Sequence, residues 1–463
     1  MYPRSIVPKG FLKLTYPRIV PVPIPILVPV SWQLFFILFL WVDKRVSLII
    51  IVTNERTGRI VFKLFGKNPG DFPLTLRTQI IEWLSQSPSD IESYIRPGCV
   101  ILSIYISMPC FAWEQLVNGL QERLEHLVAS HEGDFWRTDR ILVQVKQRLF
   151  FLKDGKIRLI KTLRPLNDPE LFSVWPIAIV AGEDTTLVLR GRNLNIPGTK
   201  FLCAYRGKYT FEGVLERLEE MDFLASKTHD QTKQMFKVSG GPPNVLGRCF
   251  IEVEHTLKRN IFPVIVADTA ICMELQSLEL EIDDLTMSLG TADIDSFGDL
   301  MLDNVHSGVK METLCFLNEL GWLFQRSNWE TEYCGNFTTA KFSVSRFRGL
   351  LIYAVDHDWC ALMKRLLDLF FIMNAGQEGL THGALEKLSE ANLLHRAVKR
   401  NCRKMVDFLM HYLPPSIPTH EFKNSFIFSP DMAGPFGLTP LHIAASMENT
   451  EDIVDALTSD PQD

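Results

Sequence analysis

Close to the carboxyl end stands Gly437-Leu-Thr-Pro-Leu-His-Ile-Ala-Ala445, a string that limits what the chain can fold into. Thr439 can cap a helix start, and Pro440 fits the first helical position, where a missing N–H costs nothing. Leu441, Ala444 and Ala445 then form a small apolar face. A single unit of this kind cannot bury that face alone, so the string requires neighbours on the same plan. Upstream, Leu394-His395-Arg-Ala397-Val398 followed by Met405-Val406-Asp-Phe408-Leu409 lines up with Leu441-His442-Ile-Ala444-Ala445 followed by Ile453-Val454-Asp-Ala456-Leu457. The Val-Asp pair recurs in phase. A weaker third copy is Ile352-Tyr-Ala354-Val355 with Met363-Lys-Arg-Leu366-Leu367.

The Thr-Pro-Leu-His string resembles the opening of an ankyrin repeat. The resemblance implies stacked helix pairs that offer a binding surface. His395 and His442 fall at equivalent positions, where it implies hydrogen bonding to the turn of a neighbouring unit and not catalysis or metal ligation. The offsets, 47 residues from His395 to His442 and 43 from Ala354 to Ala397, exceed the usual ~33. Insertions are therefore needed, and the proline-rich stretch 414–435 is predicted to be one. No polar capping repeat is visible, so this end is expected to be incomplete or covered by a partner.

A chain of 463 residues has room for about three domains of ~150 residues. With 48 Lys plus Arg against 54 Asp plus Glu, the net charge of −6 gives no overall basic character to recruit nucleic acid. The nine cysteines contain no Cys-x-x-Cys pair and read as reduced thiols of a cytosolic or nuclear protein.

The pattern predicts a multidomain α+β chain in five parts. Residues 1–52 are apolar and proline-rich and are expected to lie outside the fold, because the charged triplet 43–45 breaks any window long enough for a membrane helix. Membrane attachment through residues 32–52 is the alternative. Residues 53–165 form a mixed α/β region: strands at 60–65 and 100–108, the second half-buried by its alternation, helices at 74–84 and 112–129, and a hairpin at Asp154-Gly155. Residues 166–268 are predicted to be an immunoglobulin-like β-sandwich of the IPT/TIG kind found in transcription factors, with strands at 200–205, 248–254 and 262–267. There Arg190, Arg192, Arg206 and Lys208 read as a solvated strand face.

Residues 269–310 form an acidic linker whose stripe Ile271, Leu275, Leu278, Ile282, Leu285 marks an amphipathic helix. It either packs as a connection or docks in a partner's groove. Residues 311–463 are ankyrin-like helical repeats, begun by an apolar helix at 314–324 containing Trp322. His357, Asp358 and Cys360 suggest a Cys/His site, but their place at a helix start beside Trp359 favours a structural role, with His357 and Cys360 one helical turn apart.

Four strings carry a wider resemblance: Arg59-Ile-Val-Phe-Lys-Leu-Phe-Gly-Lys67, Ser85-Gln-Ser-Pro-Ser-Asp-Ile-Glu-Ser-Tyr-Ile-Arg-Pro-Gly98, Gly321-Trp-Leu-Phe-Gln-Arg326 and Leu394-His-Arg-Ala-Val-Lys-Arg-Asn-Cys-Arg403. From residue 53 onward the chain resembles the carboxyl-terminal half of the larger plant squamosa-promoter-binding-like (SBP-box) transcription factors. This implies a nuclear regulator that acts through other proteins. The family's zinc-binding DNA-binding domain has no counterpart here, so the resemblance assigns no zinc ligand, no cofactor and no direct DNA contact, and it predicts a fragment or truncated gene product. The expected function is a non-catalytic regulatory and protein-interaction region; a membrane-tethered ankyrin adaptor is the alternative.

Overall fold

The computed structural model describes residues 55–84, 86–96, 100–130, 135–137, 140–146, 148–162, 169–210, 214–215, 231–255, 258–288, 299–332, 342–376, 379–380, 382–414 and 427–458. The expectations for residues 1–52 lie outside these.

Alternating apolar residues first build a six-stranded antiparallel sheet: β1 (Glu55–Leu64), β2 (Asp90–Arg96), β3 (Ile101–Pro109), β4 (Arg140–Val145), β5 (Arg148–Lys153) and β6 (Lys156–Thr162), in the order β2-β3-β1-β4-β5-β6. Ile60, Phe62, Ile104, Ile106, Val143 and Phe150 share a core with Trp83, Trp113 and Leu124 of helices α1 (Leu76–Leu84), α2 (Cys110–Asn118) and α3 (Leu120–Ser130). The single helix expected over 112–129 is two. Gly119, a weak helix former, ends the first, its N–H bonded to the Gln115 carbonyl. Between β5 and β6, Asp154 and Gly155 both take positive φ (52° and 70°), the backbone of a tight two-residue hairpin.

The expectation for β3 fails informatively. Its alternation predicts one wet face, yet Ser103, Tyr105 and Ser107 are all fully buried. What covers them is the next layer, two antiparallel-built sheets facing each other. One runs β11-β10-β14-β15-β8, from β8 (Ala178–Val180), β10 (Lys200–Tyr205), β11 (Lys208–Thr210), β14 (Gly247–His255) and β15 (Lys258–Ala267), with β8 joined parallel to β15. The other runs β12-β13-β9-β7, from β7 (Glu170–Trp175), β9 (Asp184–Arg192), β12 (Val214–Leu215) and β13 (Gln231–Ser239). Leu187, Leu189, Phe236 and Val238 of one sheet share a core with Phe201, Ile251 and Val253 of the other.

The seam between β3 and β14 is charged. Glu252 is fully buried and accepts from Tyr105 Oη at 2.5 Å and Tyr209 Oη at 2.9 Å, with the Arg59 guanidinium 3.1 Å away. Arg96 pairs with Glu254, and Tyr105 stacks on Phe250 with ring centroids 3.8 Å apart. The third participant is a 34-residue helix that contains the predicted 314–324 segment, Asp299–Glu332, numbered α6 because α4 (Thr269–Leu275) and α5 (Ser277–Ser288) precede it. Arg248, fully buried, bonds Glu92 at 3.3 Å and the Asn318 carbonyl at 3.0 Å, and lies 4.2 Å over both Trp322 and Phe250. Arg326 bonds Asp90 at 2.6 Å, while Arg346 bridges Asp90 and Glu319, each at 2.5 Å. Burial pushes the Glu319 carboxyl above its usual range, against the pull of Arg346. Gly321 is required here, because a Cβ would sit 2.6 Å from the Arg248 side chain.

The acidic segment packs as a connection. Ile271, Leu275, Leu278 and Ile282 are buried in the common core; the Leu285 side chain is outside the described residues. Its carboxylates serve as caps: Asp268 accepts from Ile271 N at 3.0 Å, and Glu279 from Ile177 N at 2.8 Å.

Removing one member of a buried ion network leaves its partners desolvated and unpaired, which costs about 3–5 kcal/mol. Glu252→Leu strands Arg59, Tyr105 and Tyr209, and is expected to lower the denaturant midpoint sharply. Leu159→Ala on the exposed β6 should leave it unchanged. Equal midpoints in urea titrations of the two variants would refute the structural weight given to the seam.

Candidate protein-interaction surface

The chain ends in helix pairs. α7 (Val344–Asp356) packs on α8 (Cys360–Asn374), α10 (Leu393–Lys399) on α11 (Arg403–Met410), and α12 (Pro440–Ala445) on α13 (Glu451–Thr458); α9 (His382–Ser389) lies against α7. Each pair touches the next: α7 meets α10, α10 meets α12, and α11 meets α13.

The turn inside each pair has one residue in left-handed backbone, Asp358 (φ 59°), Asn401 (55°) and Asn449 (57°). Asp and Asn adopt this conformation more readily than other side chains. These turns also link the pairs. Arg400 bonds Asp358 at 3.2 Å, Arg396 bonds Asp356 at 3.1 Å, and the Asn401 amide donates to the Asn449 carbonyl at 3.1 Å. The repeated Asp/Asn two or three residues past the helix is a signal that the sequence carried and helix periodicity overlooked.

Leu394, His395 and Ala397 are buried in α10. His395 Nε2–H donates to the Leu438 carbonyl at 3.0 Å, across to the turn that opens the following pair. Gly434 lies flat on the imidazole, where a Cβ would approach Nε2 to 2.5 Å. Burial lowers the His395 pKa, outweighing the Leu438 and Met432 carbonyls that favour the charged ring. Thr439 caps α12, accepting from His442 N at 3.3 Å, and its hydroxyl lies 2.7 Å from His442 Nδ1. His442 therefore serves its own helix start and is exposed; the bond to a neighbouring turn belongs to His395.

The apolar face expected from Leu441, Ala444 and Ala445 is only partly used. Pro440 and Ala444 are buried and Leu441 half-buried, but Ala445 is exposed, and Ile443 packs on the core in its place. The helix has only six residues, and α10 and α13 reach one side of it. Phe436, 68% exposed and at φ 61°, leads into Thr439.

The Cys/His constellation dissolves on inspection. His357 ends α7 and Cys360 opens α8, so they do not share the helical turn expected of them. The His357 ring stacks between Tyr353 and Trp359, at 4.2 and 4.6 Å, and its Nδ1–H donates to the Tyr353 carbonyl. Burial pushes the Cys360 thiol up to about 11, the wrong direction for a nucleophile. The first N–H groups of α8 go to Glu274, which accepts from Ala361 and Leu362 at 2.7 and 2.8 Å. Among the described residues no three His, Cys, Asp or Glu side chains converge as a metal site requires, and no helix is long and apolar enough to cross a membrane.

Gly434→Ala should break the His395–Leu438 contact and loosen the last pair, raising amide exchange in α12 and α13 while leaving β1–β5 protected. Thr439→Ala should cost about 1 kcal/mol by loss of a cap. Because the folded His395 pKa lies below the ordinary value, stability is undiminished above pH ~6.5 and falls as the pH drops below it, since the unfolded ring then binds a proton more readily. His395→Asn should flatten that part of the pH profile in thermal melts.

Known sequence families match two parts of the chain: an SPL7-like immunoglobulin-like domain over residues 164–277, and an ankyrin repeat over residues 436–461. Among curated proteins, squamosa promoter-binding-like protein 16 of Arabidopsis thaliana is 44% identical over 411 residues, 89% of this chain and 39% of that protein. Squamosa promoter-binding-like protein 15 of Oryza sativa subsp. indica is 43% identical over 417 residues, 88% of this chain and 35% of that protein. Squamosa promoter-binding-like protein 1 of Arabidopsis thaliana is 37% identical over 413 residues, 88% of this chain and 43% of that protein. The chain thus spans well under half the length of these relatives. Its sandwich, its ankyrin repeat and nearly nine-tenths of its sequence are homologous to the squamosa promoter-binding-like proteins of plants, whose resemblance its sequence strings announced.

Proposed function

We propose that this chain is the non-catalytic regulatory and protein-interaction region of a squamosa promoter-binding-like transcription factor, acting in the nucleus by contacts with other proteins and not itself binding DNA. The sandwich is of the IPT/TIG type, and the three helix pairs form an ankyrin array. The observation that carries this reading is the bond from His395 to the Leu438 carbonyl. Two equivalent histidines lie at the starts of adjacent helices, α10 and α12, which is the relation expected of consecutive repeats in a stacked array. The homology to promoter-binding-like proteins supplies the regulatory context.

Fusing the chain to an unrelated DNA-binding domain tests the proposal. In plant protoplasts the fusion should change output from a reporter carrying that domain's site, and the purified chain should not retard duplex DNA at physiological salt. Unchanged output from an accumulating fusion, or tight sequence-selective binding to duplex DNA, would overturn it.

A further inference from the structure

The six-stranded sheet has two edges of opposite character. β2 is consumed by the seam, where Asp90, Glu92 and Arg96 bond α6 and β14 and β11 packs alongside. β6, at the other edge, pairs with β5 alone among the described residues, so its outer row of N–H and C=O groups is presented for pairing.

Its side chains are equally available. Leu159 and Ile160 are 54% and 47% exposed, one on each face: Ile160 is in register with the core residue Phe150, and Leu159 with Phe151 on the opposite side. Around them stand Lys153, Lys156, Arg158 and Lys161, all exposed, against a single acid, Asp154, in residues 148–162. Among the described residues no carboxylate bonds these four cations. The register shifts between Phe151 and Leu152, leaving Arg158 as the extra residue of a bulge.

Lysines and bulges on an edge commonly act to prevent pairing with a second copy. That role accounts for the cations but not for two adjacent exposed aliphatic residues, which a purely protective edge would replace. Like charges exclude a second copy of β6 and favour an acidic strand opposite.

We propose that β6 is a docking edge for an extended peptide of alternating acidic and apolar residues, which adds to the sheet as a seventh strand. Main-chain bonds to β6 supply affinity; Lys156, Arg158 and Lys161 select acidic side chains; Leu159 and Ile160 receive the apolar ones. This surface is independent of the helix pairs and does not rest on their ankyrin assignment.

The test is fluorescence anisotropy of the full chain with a labelled alternating Glu-Val decapeptide. Binding is expected, weakening as salt is raised. The triple variant Lys156→Glu, Arg158→Glu, Lys161→Glu and the pair Leu159→Ser, Ile160→Ser should each weaken it by about tenfold or more. These side chains are exposed, so circular dichroism and thermal midpoint should stay at wild-type values and separate lost docking from lost folding. The fully N-methylated peptide should not bind. Absence of binding by the Glu-Val peptide would overturn the proposal. So would equal binding of its N-methylated form, of oligoglutamate or of a single-stranded oligonucleotide, each marking a bare cationic patch, or dimerisation of the chain through β6.

Discussion

Five arginines and five carboxylates, buried between a sheet, a sandwich and one long helix, fix the arrangement of everything else in this protein. Arg59, Arg96, Arg248, Arg326 and Arg346 face Asp90, Glu92, Glu252, Glu254 and Glu319. Charges removed from water are costly unless each finds partners of good geometry, and here the remaining donors and acceptors are used too: Tyr105 and Tyr209 on Glu252, Gln325 on Glu92, Asn318 on Arg248. Every cation in the set is arginine. A planar fork can serve two acceptors at once, as Arg346 does with Asp90 and Glu319, where a lysine would offer a point charge. Apolar surfaces could slide past one another; this pattern of forks and carboxylates admits one register.

The seam also explains how the sheet-rich part and the helix pairs form one body. Helix α6 contributes Asn318, Glu319, Trp322, Gln325 and Arg326 to it, while Phe316, on the same helix, stacks on Tyr353 of α7 at 4.2 Å. Arg346, in the first turn of α7, bonds both α6 and β2. Contacts between domains of one chain ordinarily permit relative motion. Here a displacement of α7 against the sheet would separate buried charges, so the first helix pair is held to the seam directly.

Much of this was legible in the sequence where the pattern had a single physical meaning. Asp154-Gly155 could only be a tight hairpin turn, and Thr439-Pro440 a capped helix start. The limits appeared where one pattern serves two environments. Alternation along β3 means one apolar and one polar face, but Ser103, Tyr105 and Ser107 face the sandwich, because a polar face satisfied by another layer's tyrosines and carboxylates looks in sequence like a face wetted by solvent. Likewise the acidic stretch suggested an activation helix or a linker; Glu274 and Glu279 instead complete backbone groups in α8 and at Ile177. Three of the four strings that announced the family, around Arg59, Asp90 to Arg96 and Gly321 to Arg326, proved to be the seam itself. Pairing among residues more than a hundred positions apart has no local signature.

That geometry also divides the surfaces available for contact. The sheet must cover both faces near β1–β3, because helices lie on one side and the sandwich on the other, and its β2 edge is closed by arginine pairs. Docking by strand addition is therefore confined to β6. At the far end of the chain, the left-handed turns tie each helix pair to the next through arginine and asparagine side chains. The final pair is thus held by its cap, one imidazole and one amide, a lighter attachment than the seam, and it is the part of the protein whose packing responds to a single proton on His395.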